Sequence, residues 1–330
     1  MDATTSRPAG HLLRVLGIGF GLASIVGGVI GAGILRQPGV VAGAIGDPVI
    51  IISLWVVGGL MAAVNAFVVV ELGSALPRAG GPYALVTRGL GPRAGATIGW
   101  VDWFNGMSTI AFLAVAFAEF LQRAGLFADR SLGLIAVAII LAALVINWRG
   151  TRFTGAALTL FGAAKGLALA AIMAALFLAP SVAPAPPEGA TPLALGFAAI
   201  AIAMRAIYNT YTGYTAPLYV GEEMVAPERN VARSVFGGLA IVATLYVLIN
   251  IALLRVLTPE EMAGSPMAMA EGAVKALGAG GGIAVAAFGA LSVAASVNLR
   301  LMTQTRGAFA MARDAALPRQ LAFVSRTGAP

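Results

Sequence analysis

The sequence predicts an all-α protein that crosses a membrane several times. Of its 330 residues, 59% are hydrophobic and only 11% are charged, and the mean hydropathy is +0.90. Soluble domains carry about 25% charged residues, so this composition is typical of a chain surrounded by lipid. The apolar residues also come in long runs, and a helix that spans a membrane needs about 20 of them.

Eight of these runs are long enough to be candidate spans. The second is the clearest, because no charged residue occurs between positions 50 and 70. We therefore expect about eight membrane helices joined by short loops. The candidate spans cover residues 14–36, 48–74, 95–123, 131–148, 155–179, 194–221, 235–257 and 281–305.

Basic residues between the runs predict the orientation. With the amino terminus in the cytoplasm, thirteen arginines fall in cytoplasmic loops and five basic residues fall outside. Lys and Arg are enriched in short cytoplasmic loops, so this assignment is favoured. Because the basic residues punctuate apolar runs, we expect a lipid bilayer and no nucleic acid as partner. The excess of Ala, Gly and Arg over Lys is typical of a GC-rich bacterial genome, which indicates the bacterial inner (plasma) membrane.

The sequence offers no pattern typical of an enzyme. It has no cysteine and one histidine, which excludes a cysteine-based metal site. Neither a Walker motif nor a nucleophile elbow occurs in it. We therefore expect a protein without catalytic residues, metal or cofactor.

The first run contains an interruption that predicts a binding site. Glycines occupy positions 27, 28, 31 and 33, and Pro38 follows. A helix in lipid satisfies its backbone hydrogen bonds internally, so a break at mid-depth is expected where the backbone lines a cavity. The half-helix after the break offers N–H groups to a carboxylate, and the half before it offers carbonyls to an ammonium group. The alternative is a face of small residues that packs against another helix.

A second interruption is predicted at residues 208–214, in the sixth run. The stretch reads Tyr-Asn-Thr-Tyr-Thr-Gly-Tyr, and several of these side chains compete for backbone hydrogen bonds. Polar groups at mid-span are costly unless they face water, protein or ligand. The alternative is a packed set of hydrogen bonds between helices.

Paired breaks five spans apart are typical of a transporter built from inverted repeats, as in the leucine-transporter fold. We predict one transmembrane domain over 1–330, with a first five-helix repeat at 12–180 and a partial second repeat at 190–330. The second repeat lacks its last two spans. Either the chain is part of a longer protein, which we favour, or the repeat is wrongly assigned.

Four stretches, in the right order, resemble amino-acid permeases of the amino acid–polyamine–organocation superfamily, particularly the L-type branch. They are VGGVIGAGILRQP (26–38), ELGSALPRAGGPY (71–83), YVGEEMVAPERNVARS (219–234) and SVNLRLMTQTRGAFAMARDAALP (296–318).

The resemblance implies roles for the residues at the two breaks. It places the substrate carboxylate on the N–H groups of Gly31, Ala32 and Gly33. The amine would be held by backbone carbonyls, those of Val29, Ile30, Asn209 and Thr212. Many relatives have a bulky aromatic gate at the position of Asn209, and Tyr208 and Tyr211 are the candidates to replace it.

Lys165 lies in the middle of the fifth run, where a charged lysine costs about 2.5–3.5 kcal/mol. Similar permeases carry a lysine on this helix in the place of a bound ion, in contact with helix 1 and helix 8. Ser292 and Ser296 are the candidate contacts on helix 8. The residue would couple transport to a proton or control the conformational change; the alternative is a structural tether.

Charged residues near the second break are candidate gates. Arg205 precedes the break on the outer side. It is a candidate gate or a positive charge that disfavours cationic substrates; the alternative is a structural arginine whose charged end reaches the membrane surface. Glu222 and Glu223 follow the break, and we expect them to form an inner ion-pair network with Glu228, Arg229 and Arg233; a solvated loop is the alternative. Arg300 replaces a residue that is small in most of the family.

The resemblance implies a secondary transporter that moves amino acids by alternating access. Small or medium neutral amino acids fit best, because no acidic residue lies near either break to pair with a cationic side chain. The partners are then an amino acid and, in a proton-coupled mechanism, protons. An exchange of one amino acid for another fits the sequence equally well. The sequence does not predict an oligomeric state. The alternatives are a transporter of cationic amino acids or polyamines and a non-transporting membrane sensor.

Overall fold

The computed structural model describes residues 12–181, 196–325 and 328, and its regular structure there is helical. Short 3₁₀ turns occupy Gly221–Glu223 and Arg319–Ala322. The α-helices are α1 (Ile18–Val29), α2 (Gly33–Ile45), α3 (Pro48–Ala75), α4 (Pro82–Leu90), α5 (Pro92–Arg123), α6 (Leu132–Trp148), α7 (Thr151–Leu178), α8 (Phe197–Tyr211), α9 (Ala216–Tyr219), α10 (Pro227–Val256), α11 (Pro259–Gly264), α12 (Ala268–Leu277) and α13 (Ala279–Arg313).

The prediction of an all-α, multi-pass membrane protein is confirmed. Five helices, α3, α5, α7, α10 and α13, are long and apolar enough to cross a membrane, and the bent pair α1–α2 brings the number to as many as six among the described residues. α6 has 17 residues and is shorter than this criterion. The count of eight spans and the inverted repeat therefore stay predictions. The boundary at 180–190 lies largely outside the described residues.

Local sequence explains where the spans begin. The Asp47 side chain accepts a hydrogen bond from the Ile50 N–H at 2.9 Å, and Pro48 occupies the first turn of α3. Ser131 caps α6 in the same way, through the Leu134 N–H at 3.2 Å. These caps satisfy N–H groups that a helix end leaves without partners. They place the helix starts close to the apolar runs that the sequence predicts.

α13 is the most buried span, with 67% of its apolar window inside the protein. It packs against α5, α6 and α7, while α10 packs against α1 and α3. α1 and α7 approach closely, because a Cβ atom on Gly162 would lie 2.8 Å from the carbonyl oxygen of Ala23. The broken pair α1–α2 therefore lies among α7, α8, α10 and α13.

Candidate functional site

The first break lies between α1 and α2. α1 ends at Val29, α2 begins at Gly33, and the two helices are bent by 47° relative to each other. Ile30 has φ −70° and ψ 100°, an extended conformation that ends the helix. The break therefore leaves backbone groups without helical partners at both of its ends.

Three carbonyl oxygens on the α1 side of this break accept hydrogen bonds from other helices. A carbonyl oxygen has two lone pairs, so the carbonyls of Val29 and Ile30 each retain one for a ligand, whereas that of Gly27 has a second donor in the Ser296 hydroxyl at 3.5 Å. The predicted amine ligands, the carbonyls of Val29 and Ile30, are thus already held by one protein donor each. The donor–acceptor pairs are Lys165 Nζ to Gly27 O (2.6 Å), Tyr246 Oη to Val29 O (2.9 Å) and Ser292 Oγ to Ile30 O (2.9 Å).

The N–H groups on the α2 side have no acceptor among the described residues. They belong to Gly31, Ala32 and Gly33, all partly exposed. A Cβ atom on Gly31 would meet nothing closer than the Val29 carbonyl oxygen, at 3.9 Å. Open space beside the positive end of a helix favours an anionic group.

The two breaks touch through their glycines. A Cβ atom on Gly28 would lie 2.8 Å from the Gly213 carbonyl oxygen, and one on Gly213 would lie 2.5 Å from the Gly28 carbonyl oxygen. Gly213 also has φ +117°, a conformation that favours glycine. No side chain fits at either position without a shift of the backbone.

The second break lies farther along the chain than the sequence suggests. Residues 208–211 belong to α8, and the interruption covers 212–215. Thr210 stays helical with its hydroxyl bonded to the Ala206 carbonyl at 2.9 Å, inside the helix. Polar residues can thus remain in a helix when they bond to its previous turn.

The predicted residues of the second break divide between the core and the exposed surface. Tyr208, Asn209 and Thr212 are exposed, whereas Tyr211 is 1% exposed. The Tyr211 hydroxyl donates to the Trp55 carbonyl at 3.2 Å, which fixes the ring. Tyr211 is therefore unsuited to a movable gate, and Tyr208 remains the candidate. The Asn209 carbonyl, a predicted amine ligand, accepts from the Thr212 hydroxyl at 2.8 Å.

Tyr246 is a site residue that the sequence reasoning misses. It is fully buried in α10, and its hydroxyl lies 2.9 Å from the Val29 carbonyl and 3.3 Å from that of Thr210. It thus contacts the end of α1 and the last turn of α8. A tyrosine in the middle of an apolar run is the signal that could have found it, since a buried hydroxyl needs a partner. Its ring packs on Trp55, at 5.7 Å between centroids.

Lys165 is fully buried on α7, and its ammonium group donates to the Gly27 carbonyl. Ser296 Oγ lies 3.5 Å from the same oxygen, and Ser292 Oγ bonds to Ile30 O. The structure therefore brings the three predicted coupling residues together on the α1 side of the first break. No carboxylate of the described residues lies within 4.0 Å of the Lys165 ammonium group.

Glu223 forms a buried ion pair with α13. Arg306 Nε and Nη2 each lie 2.9 Å from one Glu223 carboxylate oxygen, and the two side chains are 2% and 0% exposed. The Thr151 hydroxyl adds a bond of 2.8 Å to the same carboxylate. The Glu223 backbone carbonyl accepts from the N–H groups of Val15 and Leu16, both at 2.9 Å. One residue therefore ties α7, α13 and the segment before α1 together.

Glu222 joins the same end of the bundle to the loop before α4. Its carboxylate lies 2.9 Å from Arg313 Nη1 and accepts from the Ala79 N–H at 3.1 Å. Both glutamates thus pair with arginines of α13, not with Arg229 and Arg233, because α13 passes directly beside them. Arg205 is exposed on α8 and takes no part in this network.

Comparison with known proteins agrees with this geometry. Residues 20–330 match the model of a family described as amino acid permease. The chain is 28% identical to the serine/threonine exchanger SteT of Bacillus subtilis over 93% of this chain and 70% of that protein. It is 31% identical to the large neutral amino acids transporter small subunit 2 of Oryctolagus cuniculus, and 27% identical to the Asc-type amino acid transporter 1 of Mus musculus. Both matches cover 95% of this chain, which spans 60% and 61% of those two relatives.

Proposed function

This chain belongs to the amino acid permease family, and we propose that it carries amino acids across the membrane as a secondary transporter, by alternating access. The observation that carries this proposal is the meeting of two helix breaks at Gly28 and Gly213, with unpaired N–H groups on one side. Half-helix ends that meet inside a bundle bind the charged head group of a substrate. The inverted repeat with its halves at 12–180 and 190–330 is part of the same proposal.

The head group of the amino acid would be read by backbone. The N–H groups of Gly31, Ala32 and Gly33 take the carboxylate, because they have no protein acceptor among the described residues. The carbonyls of Val29 and Ile30 take the ammonium group on their second lone pairs. Each helix-end interaction contributes about 0.3–2 kcal/mol, so both ends are needed for selectivity.

Small or medium neutral amino acids are the proposed substrates. Among the described residues, the breaks at 30–32 and 212–215 contain no carboxylate that would pair with a cationic side chain. The names of the relatives, a serine/threonine exchanger and large neutral amino acid transporters, support the same class. Exposed Tyr208 is the proposed aromatic cover of the site, and Arg205 disfavours cationic substrates.

Lys165 is the proposed link between substrate binding and conformational change. Its ammonium group holds the Gly27 carbonyl, one turn before the break, while Ser292 and Ser296 hold the same half-helix from α13. A shift of α1 relative to α7 therefore changes the surroundings of a buried charge. Loss of a proton from Lys165 would weaken its hydrogen bond to α1, because a neutral amine is a poorer donor than an ammonium group, and this would link transport to pH.

The Glu223–Arg306 pair is proposed to close the cytoplasmic end of the pathway. It connects the segment before α1 to α13 and is buried from solvent. Removal of one partner from a buried ion pair costs about 3–5 kcal/mol. Opening at this end is therefore expected to move the two side chains together and not to leave either charge buried alone. The proposal takes the orientation that the basic residues predict, with the amino terminus in the cytoplasm, and takes the membrane to be the bacterial inner membrane.

Transport in a purified system tests the proposal. The chain is reconstituted in liposomes and offered a panel of radiolabelled amino acids under imposed gradients of pH or of internal amino acid. We expect saturable uptake of neutral amino acids that responds to one of these gradients. Binding without flux would favour a membrane sensor, and uptake confined to lysine, arginine or polyamines would favour the cationic class. Protein-free liposomes are the control.

A further inference from the structure

An arginine lies inside the membrane-spanning part of the bundle, beside the meeting point of the two breaks. Arg300 belongs to α13 and lines a small cavity of about 30 Å³ together with Gly28 and Gly213. Ser296 and Thr303 line the same cavity. A space this small holds about one water molecule. Arg300 therefore shares this cavity with Gly28 and Gly213, the two glycines at which the breaks meet.

The Arg300 guanidinium has no hydrogen-bond or ion-pair partner among the described residues, and its charge acts on the nearby Tyr219 hydroxyl. No carboxylate lies within 4.0 Å of it, and it donates no hydrogen bond. Asp102 is bonded instead by the Tyr219 hydroxyl, at 2.9 Å from each carboxylate oxygen. Arg306, on the same helix, differs from Arg300, since its Nε and Nη2 both bond to the Glu223 carboxylate. An unpaired arginine within a membrane span typically marks the path of a substrate.

We propose that Arg300 binds a second carboxylate, so that acidic amino acids such as aspartate and glutamate share the site with neutral ones. This inference rests on the proposed function, because it takes the substrate head group to be held at the first break. Gly31, Ala32 and Gly33 bind the α-carboxylate there, which leaves Arg300 free for the side chain. A guanidinium binds a carboxylate through two parallel hydrogen bonds.

The cavity fits the tip of a side chain rather than a whole amino acid. At about 30 Å³ it accommodates one small polar group, and the hydroxyls of Ser296 and Thr303 lie on its wall. Gly28 and Gly213, whose backbones are in close contact, form the wall of the cavity where the two breaks meet. A positive charge in this place also repels lysine and arginine as substrates. Arg300 thus sets which side chains the site accepts.

Competition in liposomes tests this role. Uptake of labelled L-serine by the full chain is measured with unlabelled L-aspartate, L-glutamate or L-lysine in excess. We expect the acidic amino acids to compete and lysine not to compete. In Arg300→Gln, the ratio of acidic to neutral affinity should fall by about tenfold or more, because a charged hydrogen-bonded pair is lost. Arg300→Lys keeps the charge and should retain most of the ratio.

Two controls separate this role from others. Arg255→Gln removes an exposed arginine of α10 that packs over Phe177, away from the cavity, and should leave the ratio as it is. Asp102→Asn tests whether Arg300 acts by pairing with Asp102 during gating; if this variant reproduces the change in ratio, the proposal is overturned. It is also overturned if neither acid competes in the unmodified chain, or if Arg300→Gln and Arg300→Lys behave alike. Absence of all serine uptake would count against the proposed function instead.

Discussion

The two breaks that meet at the candidate site are held in different ways. At the first break, carbonyls of α1 accept hydrogen bonds from Lys165, Tyr246 and Ser292, which lie on three separate helices. At the second break, the Asn209 carbonyl accepts from Thr212 in the same turn. The first break is thus held by three other helices, whereas the second combines this local bond with a tertiary one, because the Tyr246 hydroxyl also lies 3.3 Å from the Thr210 carbonyl. Movement of α7 or α13 therefore acts through these bonds on the first break, whereas movement of α10 acts on both breaks through Tyr246.

Gly213→Ala should have the largest effect, because it damages both breaks at once. The new Cβ would lie 2.5 Å from the Gly28 carbonyl oxygen, in a backbone conformation with φ +117°. We expect a loss of about 2–5 kcal/mol of stability together with the loss of uptake. Thermal unfolding in detergent and uptake in liposomes measure the two effects. Gly166→Ala is the matched control, since its Cβ would meet no atom within 4 Å. Equal behaviour of the two variants would show that the breaks do not need this contact.

Gly31→Val separates binding at the first break from folding. Its Cβ meets no protein atom closer than 3.9 Å, so the side chain would occupy the space left for the substrate. We expect binding to be abolished while insertion and thermal stability stay close to those of the unmodified chain. Stabilisation by added amino acid, measured as a shift in Tm, should disappear. If the shift survives, the substrate lies elsewhere.

Lys165→Ala removes the strongest tie between the first break and another helix. A hydrogen bond from a charged group contributes about 1.5–3 kcal/mol, and here it holds the Gly27 carbonyl. We expect the protein to insert but to lose uptake that depends on pH or on an opposing gradient. Uptake is measured at several external pH values, with Thr159→Ala as the control on the same helix. Uptake unchanged at every pH would remove Lys165 from the coupling mechanism.

Removal of the hydroxyl group from Tyr246 or from Tyr211 should have the smallest effect on stability, and the two variants compare the two breaks directly. Tyr246→Phe removes a donor to the Val29 carbonyl, and Tyr211→Phe removes a donor to the Trp55 carbonyl. Each loss should cost about 0.5–1.5 kcal/mol of stability, because the rings stay in place. Substrate affinity should fall more in Tyr246→Phe, since only that hydroxyl holds the first break. Titration of the amino acid against both variants decides this, and a larger fall in Tyr211→Phe would reverse the comparison.

Much of the site could be predicted because its signals are local. Glycines close together in an apolar run indicate the first break, and a lone charge in such a run indicates Lys165. The second break was placed too early, because Thr210 and Tyr211 remain helical through hydrogen bonds that sequence spacing does not show. The ion-pair partners of Glu222 and Glu223 were also wrong, since the arginines that pair with them lie far along the chain.

The sequence by itself determined that this protein is an α-helical membrane protein of the amino acid permease family, with a break in its first helix. These properties depend on composition, on runs of about 20 residues and on short motifs. Only the tertiary structure decided that Tyr246 holds the first break, that Gly28 meets Gly213, and that Arg306 forms an ion pair while Arg300 forms none within the described part of the chain. The reason is that a side chain finds its partner by distance in the folded bundle. Residues in contact there are separated by 217 positions for Tyr246 and Val29.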